Sequence, residues 1–410
     1  MSQTALQGRR VVVGVCGGIA AYKACEVVSR LRQAGAEVRV VCTRNATEFV
    51  GLTTFRALSG QDVACETFGA IAALEIEHIS LAEFAETMVV VSATANVIGK
   101  VASGICDDLL TTTISAAAGK VIFAPAMNWR MWGNPITQRN VTTLRDLGYW
   151  FVGPDCGHLA CGEEGMGRLS AVEDILDAVD QALGPTESKL TGKRVLITSG
   201  PTREWIDPVR FLSNPSSGKM GYALAREALA RGARVTVVTG PTHERAPWRA
   251  EVVPVDTTAE MLEAVSARHH ETDVLVAAAA PVDFSPVRRT DHKIKKTSDL
   301  AAPDATAHLV LELQETPDIL ATLASRKGSR IHVGFAAETH EVEANALGKL
   351  QRKNLDAIVS NDITAPGAGF AGDTNEVTIY HRTGEMRRVP QADKRDIAIA
   401  IWDEIEKLIG

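Results

Sequence analysis

Twice in this chain, about 185 residues apart, an apolar run typical of a β-strand leads into a loop of small residues, an amphipathic helix and a second apolar run. The first such unit opens at 11–20 and closes at 38–43, and the second opens at 194–200 and closes at 235–240. Units of this kind bind nucleotides in parallel sheets, because the amides at the helix N-terminus hold phosphate. The two loops differ so much in length and chemistry that we expect the two halves to bind different ligands.

The size and charge of the chain limit the classes of protein to which it can belong. At 410 residues it exceeds the length at which one core stops growing, which predicts two domains of about 190 to 220 residues. With 45% hydrophobic residues and a net charge of −7, the chain has no basic field for nucleic acid. Residues 1–10 lack an apolar signal core, and no run reaches about 18 apolar residues. We therefore expect a cytoplasmic protein with neither a nucleic-acid nor a membrane partner.

The cysteines carry no pattern of a disulfide framework. There are seven, an odd number, and all lie in the first 161 residues, so they are expected to be reduced thiols. The group Cys156-x-His158-x-x-Cys161 comes nearest to a zinc signature, but no second pair of ligands has the spacing that zinc needs.

Apolar periodicity predicts alternating strands and helices in both halves, and this alternation is typical of α/β domains with parallel sheets covered on both faces. In the first half the strands are predicted at 10–16, 37–42, 87–92, 120–125 and 149–152, and the helices at 20–33, 94–117, 135–146 and 172–183. In the second half the strands are predicted at 194–198, 234–238, 273–279, 331–335, 356–360 and 375–381, and the helices at 219–230, 258–268, 317–325, 340–354 and 391–409.

A polar stretch at 184–189 that contains helix breakers separates the two series, so we predict one domain over 1–189 and another over 190–410. The segment 281–306 contains three prolines and a cluster of basic residues without helical or strand period. Connections of that length are uncommon inside compact domains, which predicts a functional loop.

Neither opening has the chemistry of a dinucleotide site. A dinucleotide fingerprint needs Gly-x-Gly-x-x-Gly and an acidic residue after the second strand, whereas the second strands here end at Thr43 and Thr239. Mononucleotides are therefore favoured over NAD. The residues alone leave alternatives open, since Gly17-Gly18 can be a tight turn and Ser216-Ser217-Gly218 can be an ordinary helix cap.

Several motifs go beyond this general pattern, and all occur in family order. The second half resembles phosphopantothenate–cysteine ligase through Ser213-Asn214-x-Ser216-Ser217-Gly218-Lys219-Met220-Gly221, Lys293-Ile294-Lys295-Lys296, Gly334-Phe335-Ala336-Ala337-Glu338-Thr339 and Lys353-Asn354-x-Asp356. The first half resembles the homo-oligomeric flavin-containing cysteine decarboxylases through Gly17-Gly18-Ile19-Ala20, His78, Ala93-Thr94-Ala95-Asn96, Pro125-Ala126-Met127-Asn128-Trp129-Arg130-Met131, Ala160-Cys161-Gly162 and Gly165-x-Gly167-Arg168. Together they resemble the bacterial bifunctional enzymes of coenzyme A biosynthesis over nearly the whole chain.

For the first half this resemblance implies a flavodoxin-like phosphopantothenoylcysteine decarboxylase that uses FMN as its electron sink. It implies catalytic roles for His78 in starting the oxidation, for Asn128 in holding the substrate carboxylate, and for Cys161 as proton donor on a glycine-rich flap over 153–167. Arg168 is expected to bind substrate. The flavin contacts are expected at Gly17, Gly18, Ile19, Thr43, Ser92 and Thr94. Taken singly, a buried or capping histidine, a left-handed turn asparagine and a buried free cysteine remain open for the three expected catalytic positions.

For the second half it implies a Rossmann-like ligase that uses CTP, with Mg²⁺, to convert 4'-phosphopantothenate to an acyl-cytidylate that cysteine then attacks. The cations and amides that meet the developing charge should dominate catalysis. Asn214 and Lys293 are the expected catalytic residues, although without the motif the lysine-rich loop can be a solvated surface. The expected substrate and nucleotide contacts are Arg210, Ser216, Ser217, Gly218, Ala277, Ala278, Ala279, Asp283, Pro317, Asp318, Ile319, Leu320, Phe335, Lys349 and Lys353. The metal ligands cannot be identified from the sequence.

The resemblance also implies a homo-oligomer of decarboxylase trimers linked by ligase dimers. Two other functions remain as alternatives at this point: an NAD(P)-dependent oxidoreductase, and a non-catalytic flavoprotein that serves as a regulatory subunit. The missing acidic residues disfavour the first, and the presence of His78, Asn128 and Cys161 together disfavours the second.

Overall fold

The computed structural model describes residues 6–66, 76–185, 187–295, 309–338, 340–362 and 372–410. The chain divides into two compact units, Met1–Gly184 and Pro185–Gly410, and each has a sheet and a core of its own. The domain boundary after residue 189 stays a prediction. Lys296, Thr339 and the part of the predicted loop beyond residue 295 lie outside the described residues.

The first unit contains a parallel six-stranded sheet in the order β3-β2-β1-β4-β5-β6. Without the two-residue edge strand β3, the order is that of flavodoxin, which confirms the predicted fold class. An antiparallel hairpin, β7–β8, lies outside this sheet. The strands are β1 (Arg10–Val15), β2 (Glu37–Cys42), β3 (Val63–Ala64), β4 (Thr87–Ala93), β5 (Lys120–Pro125), β6 (Trp150–Phe151), β7 (Asp155–His158) and β8 (Glu164–Arg168).

All helices of this unit except the short α6 contain buried residues. They are α1 (Tyr22–Gln33), α2 (Leu52–Ser59), α3 (Glu77–Phe84), α4 (Ala95–Ala102), α5 (Leu109–Ala116), α6 (Trp129–Trp132), α7 (Pro135–Asp146) and α8 (Val172–Ala182), with short 3-10 turns at Ile19–Ala21 and Arg44–Glu48. The single helix predicted at 94–117 is wrong. Gly104 has φ +68°, and Asp108 forms a capping box with Thr111, so the chain ends one helix and starts another.

The second unit contains an eight-stranded sheet in the order β13-β12-β9-β14-β17-β18-β19-β20. The strands from β13 to β18 are parallel, and the last two pair antiparallel at the edge. The two remaining antiparallel pairs are β10 with β11 and β15 with β16. The strands are β9 (Arg194–Ser199), β10 (Arg203–Trp205), β11 (Phe211–Ser213), β12 (Arg234–Thr239), β13 (Glu251–Pro254), β14 (Val274–Ala277), β15 (Phe284–Pro286), β16 (Leu313–Glu315), β17 (Ile331–Glu338), β18 (Ala357–Asp362), β19 (Thr374–His381) and β20 (Met386–Asp393).

Two apolar clusters cover the faces of this sheet, one of which centres on the fully buried Trp402. The helices are α9 (Lys219–Ala230), α10 (Thr258–His269), α11 (Ile319–Ala324), α12 (Val342–Arg352) and α13 (Lys394–Leu408). The predicted helix 391–409 began too early, because 386–393 is a strand and the side chain of Asp393 caps the following helix. The segment 281–295 also contains a short strand that the sequence did not predict, β15, which pairs with β16.

Candidate functional site

In the first unit the strand order reverses at β1, which lies between β2 and β4. The loops that follow β1 and β4 therefore leave the sheet in different directions. Ligands of doubly wound sheets bind at this kind of switch point. A cavity of about 610 Å³ opens at this position. Its lining combines the loop after β1, the segment after β5 and the β7–β8 hairpin: Gly17, Gly18, Ile19, Ala20, Tyr22, Lys23, Thr94, Ala126, Met127, Asn128, Met131, His158, Leu159, Ala160, Cys161, Gly167, Arg168 and Leu169.

The glycine loop is closely packed on one side and open on the other. A Cβ at Gly17 would lie 2.4 Å from the Cβ of Asn45, whereas one at Gly18 would have no neighbour closer than 3.8 Å. Ile19 is 62% exposed at the cavity. The loop is therefore a tight turn that also presents backbone and an apolar side chain to the cavity. A tight turn and a ligand-binding loop are thus compatible descriptions of Gly17-Gly18.

The predicted flavin contacts fall into two groups. Gly17, Gly18, Ile19 and Thr94 line the cavity. Thr94 also caps α4 by accepting a hydrogen bond from the Val97 amide. Thr43 follows β2 and Ser92 is the next-to-last residue of β4, the strands on either side of β1, but neither residue lines the cavity. Ser92 is fully buried with φ +30°, a strained value for a residue with a Cβ, and its hydroxyl donates to the Cys16 carbonyl at 3.2 Å.

The β7–β8 hairpin brings Cys161 to Asn128. Asn128 Nδ2 lies 3.3 Å from Cys161 Sγ, and Glu163 lies within hydrogen-bonding distance of both. The Glu163 carboxylate also accepts from Trp129 Nε1 at 2.8 Å and pairs with Arg130 at 3.2 Å. These donors, with the Trp129 indole first, lower the pKa of Glu163. The predicted flap is therefore a β-hairpin with Cys161 in its turn region.

The simplest alternatives for two catalytic positions are wrong. Cys161 is exposed, not buried. Asn128 has φ −58°, outside the left-handed region, and its side chain accepts from the Arg130 amide as the cap of α6. Both side chains are thus presented to the cavity by backbone that the fold fixes.

His78 is placed differently from the other two. It lies in the first turn of α3, as predicted, but among the described residues of this chain it does not line the cavity. Two apolar neighbours on the same turn, Ile76 and Ile79, are 63% and 39% exposed. In a single chain the structure therefore brings together Asn128, Cys161 and Arg168, but not His78.

The cavity chemistry fits a flavin mononucleotide. Exposed apolar side chains, Ile19 and Met131 among them, offer contact to an aromatic ring, while Lys23 and Arg168 supply positive charge for a phosphate. Lys23, Tyr22 and Glu163 were missed by the sequence analysis. Tyr22 and Lys23 directly follow the glycine loop, at the start of the predicted helix 20–33. That position was the signal that could have identified these two residues.

In the second unit the corresponding switch point lies at β9, between β12 and β14. On one side of this point a cavity of about 210 Å³ opens at the carboxyl ends of β14, β17 and β18 and at the start of α9. It is lined by Asn214, Ser216, Gly218, Lys219, Met220, Gly221, Ala278, Ala279, Ala280, Phe335, Ala337, Asn361, Asn375 and Lys394. Six of the predicted ligase residues therefore converge here: Asn214, Ser216, Gly218, Ala278, Ala279 and Phe335.

Asn214 is held by the segment that follows β14. Its Nδ2 donates to the carbonyls of Ala280 at 3.3 Å and Pro281 at 2.9 Å. Gly218 has φ +79° as the residue before α9, and its amide donates to the Ser216 hydroxyl at 3.4 Å. The Ser217 hydroxyl accepts from the Lys219 amide at 3.4 Å, although Ser217 does not line the cavity. The N-cap of α9 is Gly218 and makes no side-chain cap hydrogen bond, so the helix start is a wall of the cavity and not an ordinary serine cap.

Several predicted nucleotide contacts lie away from this cavity. Lys349 pairs with Glu338 at 2.6 Å, and Lys353 pairs with Asp318 at 2.8 Å, so both lysines already have a carboxylate partner. The side chains of Ile319 and Leu320 pack into the core, which leaves only their backbone for a ligand. Ala277, Asp283, Pro317 and Lys293 do not line the cavity either, and the last three are exposed.

Arg210 also has partners within the protein. Its Nη1 donates to Asp207 Oδ2 at 2.6 Å and to the Ile294 carbonyl at 3.0 Å. The side chain therefore links the β10–β11 hairpin to the segment that carries Lys293.

Four polar residues of the cavity were missed by the sequence analysis: Lys219, Asn361, Asn375 and Lys394. Lys219 pairs with Asp373 at 2.6 Å, and this hydrogen bond raises its pKa. Lys394 is only 6% exposed, and burial together with the nearby Lys219 lowers its pKa. Asn361 follows the predicted strand 356–360, and a polar residue at a strand end was the available signal.

No acidic residue follows either second strand, since Cys42 leads to Thr43 and Thr239 to Gly240. This agrees with the low expectation of NAD. Across the part of the chain that the structure describes, no group of three or more acidic, histidine or cysteine side chains is arranged to hold a metal ion. Within those same ranges, no helix has the length and apolar character needed to cross a bilayer.

Comparison with known proteins gives matches over both units. The flavoprotein family model matches residues 1–184, and the model of the DNA/pantothenate metabolism flavoprotein C-terminal domain matches residues 190–409. The coenzyme A biosynthesis bifunctional protein CoaBC of Bacillus subtilis (strain 168) is 46% identical over 405 residues, 98% of each chain. Its namesake from Vibrio vulnificus (strain YJ016) is 39% identical over 406 residues, 99% of each chain.

One solved structure is similar to the second unit. The crystal structure of the C-terminal domain of a coenzyme A biosynthesis bifunctional protein is 42% identical, with a TM-score of 0.45. The match covers 54% of this chain and 98% of that one.

Proposed function

The chain belongs to the family of bifunctional coenzyme A biosynthesis proteins, and we propose that it catalyses two consecutive steps of that pathway. In the first, cysteine is joined to 4'-phosphopantothenate with CTP, through an acyl-cytidylate. In the second, 4'-phosphopantothenoylcysteine loses carbon dioxide to give 4'-phosphopantetheine with the use of FMN. Residues 190–410 carry out the ligation, and residues 1–189 carry out the decarboxylation.

One observation gives the main support for the decarboxylase function: the side chains of Asn128 and Cys161 are in contact at the cavity that the glycine loop lines. FMN, when bound, supplies the electron sink that loss of carbon dioxide from a cysteinyl carboxylate requires. Gly17, Gly18, Ile19 and Thr94 would hold it, with Ser92 and Thr43 behind them.

Each catalytic side chain has a distinct task. Asn128 donates its amide hydrogens to the substrate carboxylate, and Arg168 binds the substrate's anionic end. Cys161 donates the proton that completes the final reduction. The hairpin that bears Cys161 closes over the substrate and excludes water.

His78 initiates the oxidation, and its position supports the oligomer that the sequence predicts. Within one chain it does not reach the cavity, and the exposed Ile76 and Ile79 beside it provide an apolar contact surface. We place it in the site of a neighbouring subunit of a decarboxylase trimer, and we propose that ligase dimers link such trimers.

In the ligase the reaction needs an activated acyl group, because a carboxylate is a poor acyl donor: it is a weak electrophile and its oxygen is a poor leaving group. The cavity at the start of α9 supports this chemistry: its lining residues Ser216 and Gly218 hold phosphate, and Ala278 and Ala279 let the cytosine approach the backbone. Ser217 and Ala277 are adjacent in the chain and complete the two groups. Asn214 holds the acyl-cytidylate, Phe335 packs on the nucleotide, and Lys293 stabilises the charge that develops on the α-phosphate. Arg210 lies on the phosphopantothenate side.

The other predicted nucleotide contacts can form only if paired side chains move, or if the backbone rather than the side chain contacts the nucleotide. Lys349 and Lys353 must leave Glu338 and Asp318 to reach a phosphate, while Pro317, Asp318, Ile319 and Leu320, with Asp283, form the nucleotide-facing edge. Mg²⁺ bound with CTP would supply positive charge for the phosphates, and it would require few protein carboxylates because magnesium retains water. All seven cysteines are free thiols, which supports a location in the reducing cytoplasm.

The test is incubation of the purified chain with 4'-phosphopantothenate, cysteine, CTP and Mg²⁺, with mass detection of both products. We expect 4'-phosphopantothenoylcysteine followed by 4'-phosphopantetheine, CMP and pyrophosphate, and a flavin absorbance in the purified protein. Replacing CTP by ATP, or omitting Mg²⁺, should prevent the first product but not the decarboxylation of added 4'-phosphopantothenoylcysteine. Absence of both products, or equal rates with ATP, contradicts the proposal.

A further inference from the structure

The carboxylate of Asp207 occupies a fully buried position between two segments of the ligase domain. It lies in the turn of the β10–β11 hairpin and is 0% exposed. Oδ1 accepts from the amides of Val209 at 2.7 Å and Arg210 at 2.8 Å, which fixes the turn. Oδ2 accepts from Arg210 Nη1 at 2.6 Å and from the Ile294 amide at 3.1 Å.

The two halves of this ion pair hold both backbone polar groups of one residue. Asp207 binds the Ile294 amide, and the Arg210 guanidinium donates to the Ile294 carbonyl at 3.0 Å. Ile294 directly follows Lys293, whose side chain is exposed. The backbone beside the lysine is therefore clamped from two directions, while the lysine itself stays available.

A second attachment lies on the other side of Lys293. The Thr290 amide donates to the Ile206 carbonyl at 3.1 Å, and its hydroxyl approaches the same carbonyl at 3.3 Å. Segment 290–294 is thus an arc fastened at both ends to residues 206–210. The hairpin ends at Ser213, immediately before Asn214, so one rigid loop carries both the arc and a wall of the cavity.

Burial alone would raise the pKa of Asp207, but the amides of Val209, Ile294 and Arg210 and the charge of Arg210 together lower it. The group is ionised at neutral pH, and every hydrogen bond it makes requires an acceptor. A carboxylate at this position is therefore specifically suited to the clamp, because an amide would present a donor to one of its partners.

We propose that Asp207 is a positioning residue for the ligase reaction, which fixes Lys293 relative to Asn214 through the backbone of Ile294. This rests on the proposed function, in which Lys293 stabilises acyl-cytidylate formation. Catalytic groups must be held close to their productive geometry, and a displacement of about 1 Å costs on the order of 100-fold in rate.

Asp207→Asn in the full-length chain tests this directly. If its oxygen stays on the turn amides, its NH₂ group faces the Ile294 amide and the Arg210 guanidinium, so the clamp is lost while the turn remains. We expect the single-turnover rate of acyl-cytidylate formation to fall about 10- to 100-fold, with the KM for cysteine and the dissociation constant of CTP little changed. Decarboxylation of added 4'-phosphopantothenoylcysteine should be unaffected.

Asp256→Asn is the matched control. Asp256 accepts a hydrogen bond from Trp205 on the same hairpin, yet it makes no recorded contact with segment 290–294. This variant should keep the wild-type rate of acyl-cytidylate formation. A double variant with Lys293→Gln separates a positioning role from a general one: if Asp207 acts through Lys293, Asp207→Asn adds no further loss to the slow Lys293→Gln enzyme.

The outcomes distinguish the two proposals. A wild-type chain that forms no acyl-cytidylate, or a Lys293→Gln variant with full activity, overturns the proposed ligase mechanism and the inference with it. A slow Lys293→Gln variant beside a fully active Asp207→Asn variant overturns the inference alone. Should Asp207→Asn fail to fold by thermal unfolding, Ile294→Pro removes the same amide donor without altering the turn, and an unchanged rate in that variant is equally decisive against the clamp.

Discussion

Asn128 Nδ2 lies 3.3 Å from Cys161 Sγ, although 33 positions separate the two residues along the chain. One follows strand β5 and the other lies between the strands of the β7–β8 hairpin. Glu163 contacts both side chains, and its carboxylate also accepts from the Trp129 indole. Packing of the β7–β8 hairpin against the segment 127–130 therefore assembles this part of the decarboxylase site.

Cys161→Ser should leave FMN bound but stall product formation. The serine hydroxyl occupies nearly the same place, but it is a much weaker acid than a thiol, and loss of a general acid typically costs about 10²- to 10⁴-fold. Flavin absorbance and mass detection of 4'-phosphopantetheine measure the two effects, and CTP-dependent ligation by the same chain is the internal control. Turnover at the wild-type rate would remove Cys161 from the reaction.

Gly165→Ala should weaken the packing of the β7–β8 hairpin against Trp129. A Cβ at Gly165 would lie 2.8 Å from Trp129 Cβ and 2.9 Å from its Cγ, closer than real carbon contacts allow. We expect the KM for 4'-phosphopantothenoylcysteine to rise and the decarboxylation rate to fall, with FMN content unchanged. Gly51→Ala is the control, because Gly51 has φ −65° and no atom within 4 Å of the new methyl group. Equal kinetics in the two variants would argue against hairpin closure.

Gly221→Ala should damage the ligase domain alone. Its Cβ would lie 2.3 Å from Ser199 Oγ and 2.5 Å from Ser199 Cβ, so α9 must move away from β9. Overpacking of this kind costs about 1–3 kcal/mol, and the movement also displaces Gly218 at the cavity wall. Thermal unfolding and both activities should be measured beside Gly348→Ala, whose new methyl would meet only the Arg352 side chain at 3.5 Å. Unaltered ligation and stability would show that this contact can relax.

The ligase domain should lose stability as pH falls. His269 and His332 are buried with their Nε2 atoms 2.8 Å apart. Burial is the largest of the causes that lower the pKa of His332 from 6.5 to about 4. The neighbouring His269, Lys327 and Arg330 act in the same direction, whereas Asp356 opposes the shift. Between these values the unfolded chain binds a proton that the folded chain does not, so the free energy of unfolding decreases as pH falls, by up to about 1.4 kcal/mol per pH unit for each such histidine.

Denaturant unfolding between neutral and acidic pH measures this slope. His332→Gln should flatten it, whereas His270→Gln, at an exposed neighbouring position, should not. An identical pH dependence in wild type and His332→Gln would mean that other groups cause the acid sensitivity.

The sequence by itself determined the two α/β units and most of their strands. Long apolar runs such as 10–15, 37–42 and 120–125 coincide with predicted strands, and α7 and α9 occupy the predicted ranges. These elements are legible because burial on both faces imposes a continuous apolar pattern on each strand, and one-sided burial imposes a helical period. The short hairpins were not predicted, since strands of three to five residues are too short to show a period, and those of β7–β8 also contain glycine.

The sequence also determined which residues could carry the chemistry, because each motif places small, polar or basic groups at the end of a strand. Only the tertiary structure decided which of them meet. It brings Asn128 to Cys161 and leaves His78 outside that cavity, and it gives Lys349 and Lys353 carboxylate partners. The buried Asp207, which no motif had marked, becomes the link between Arg210 and Ile294. Such contacts depend on how separate loops leave one sheet edge, and linear spacing cannot encode that geometry.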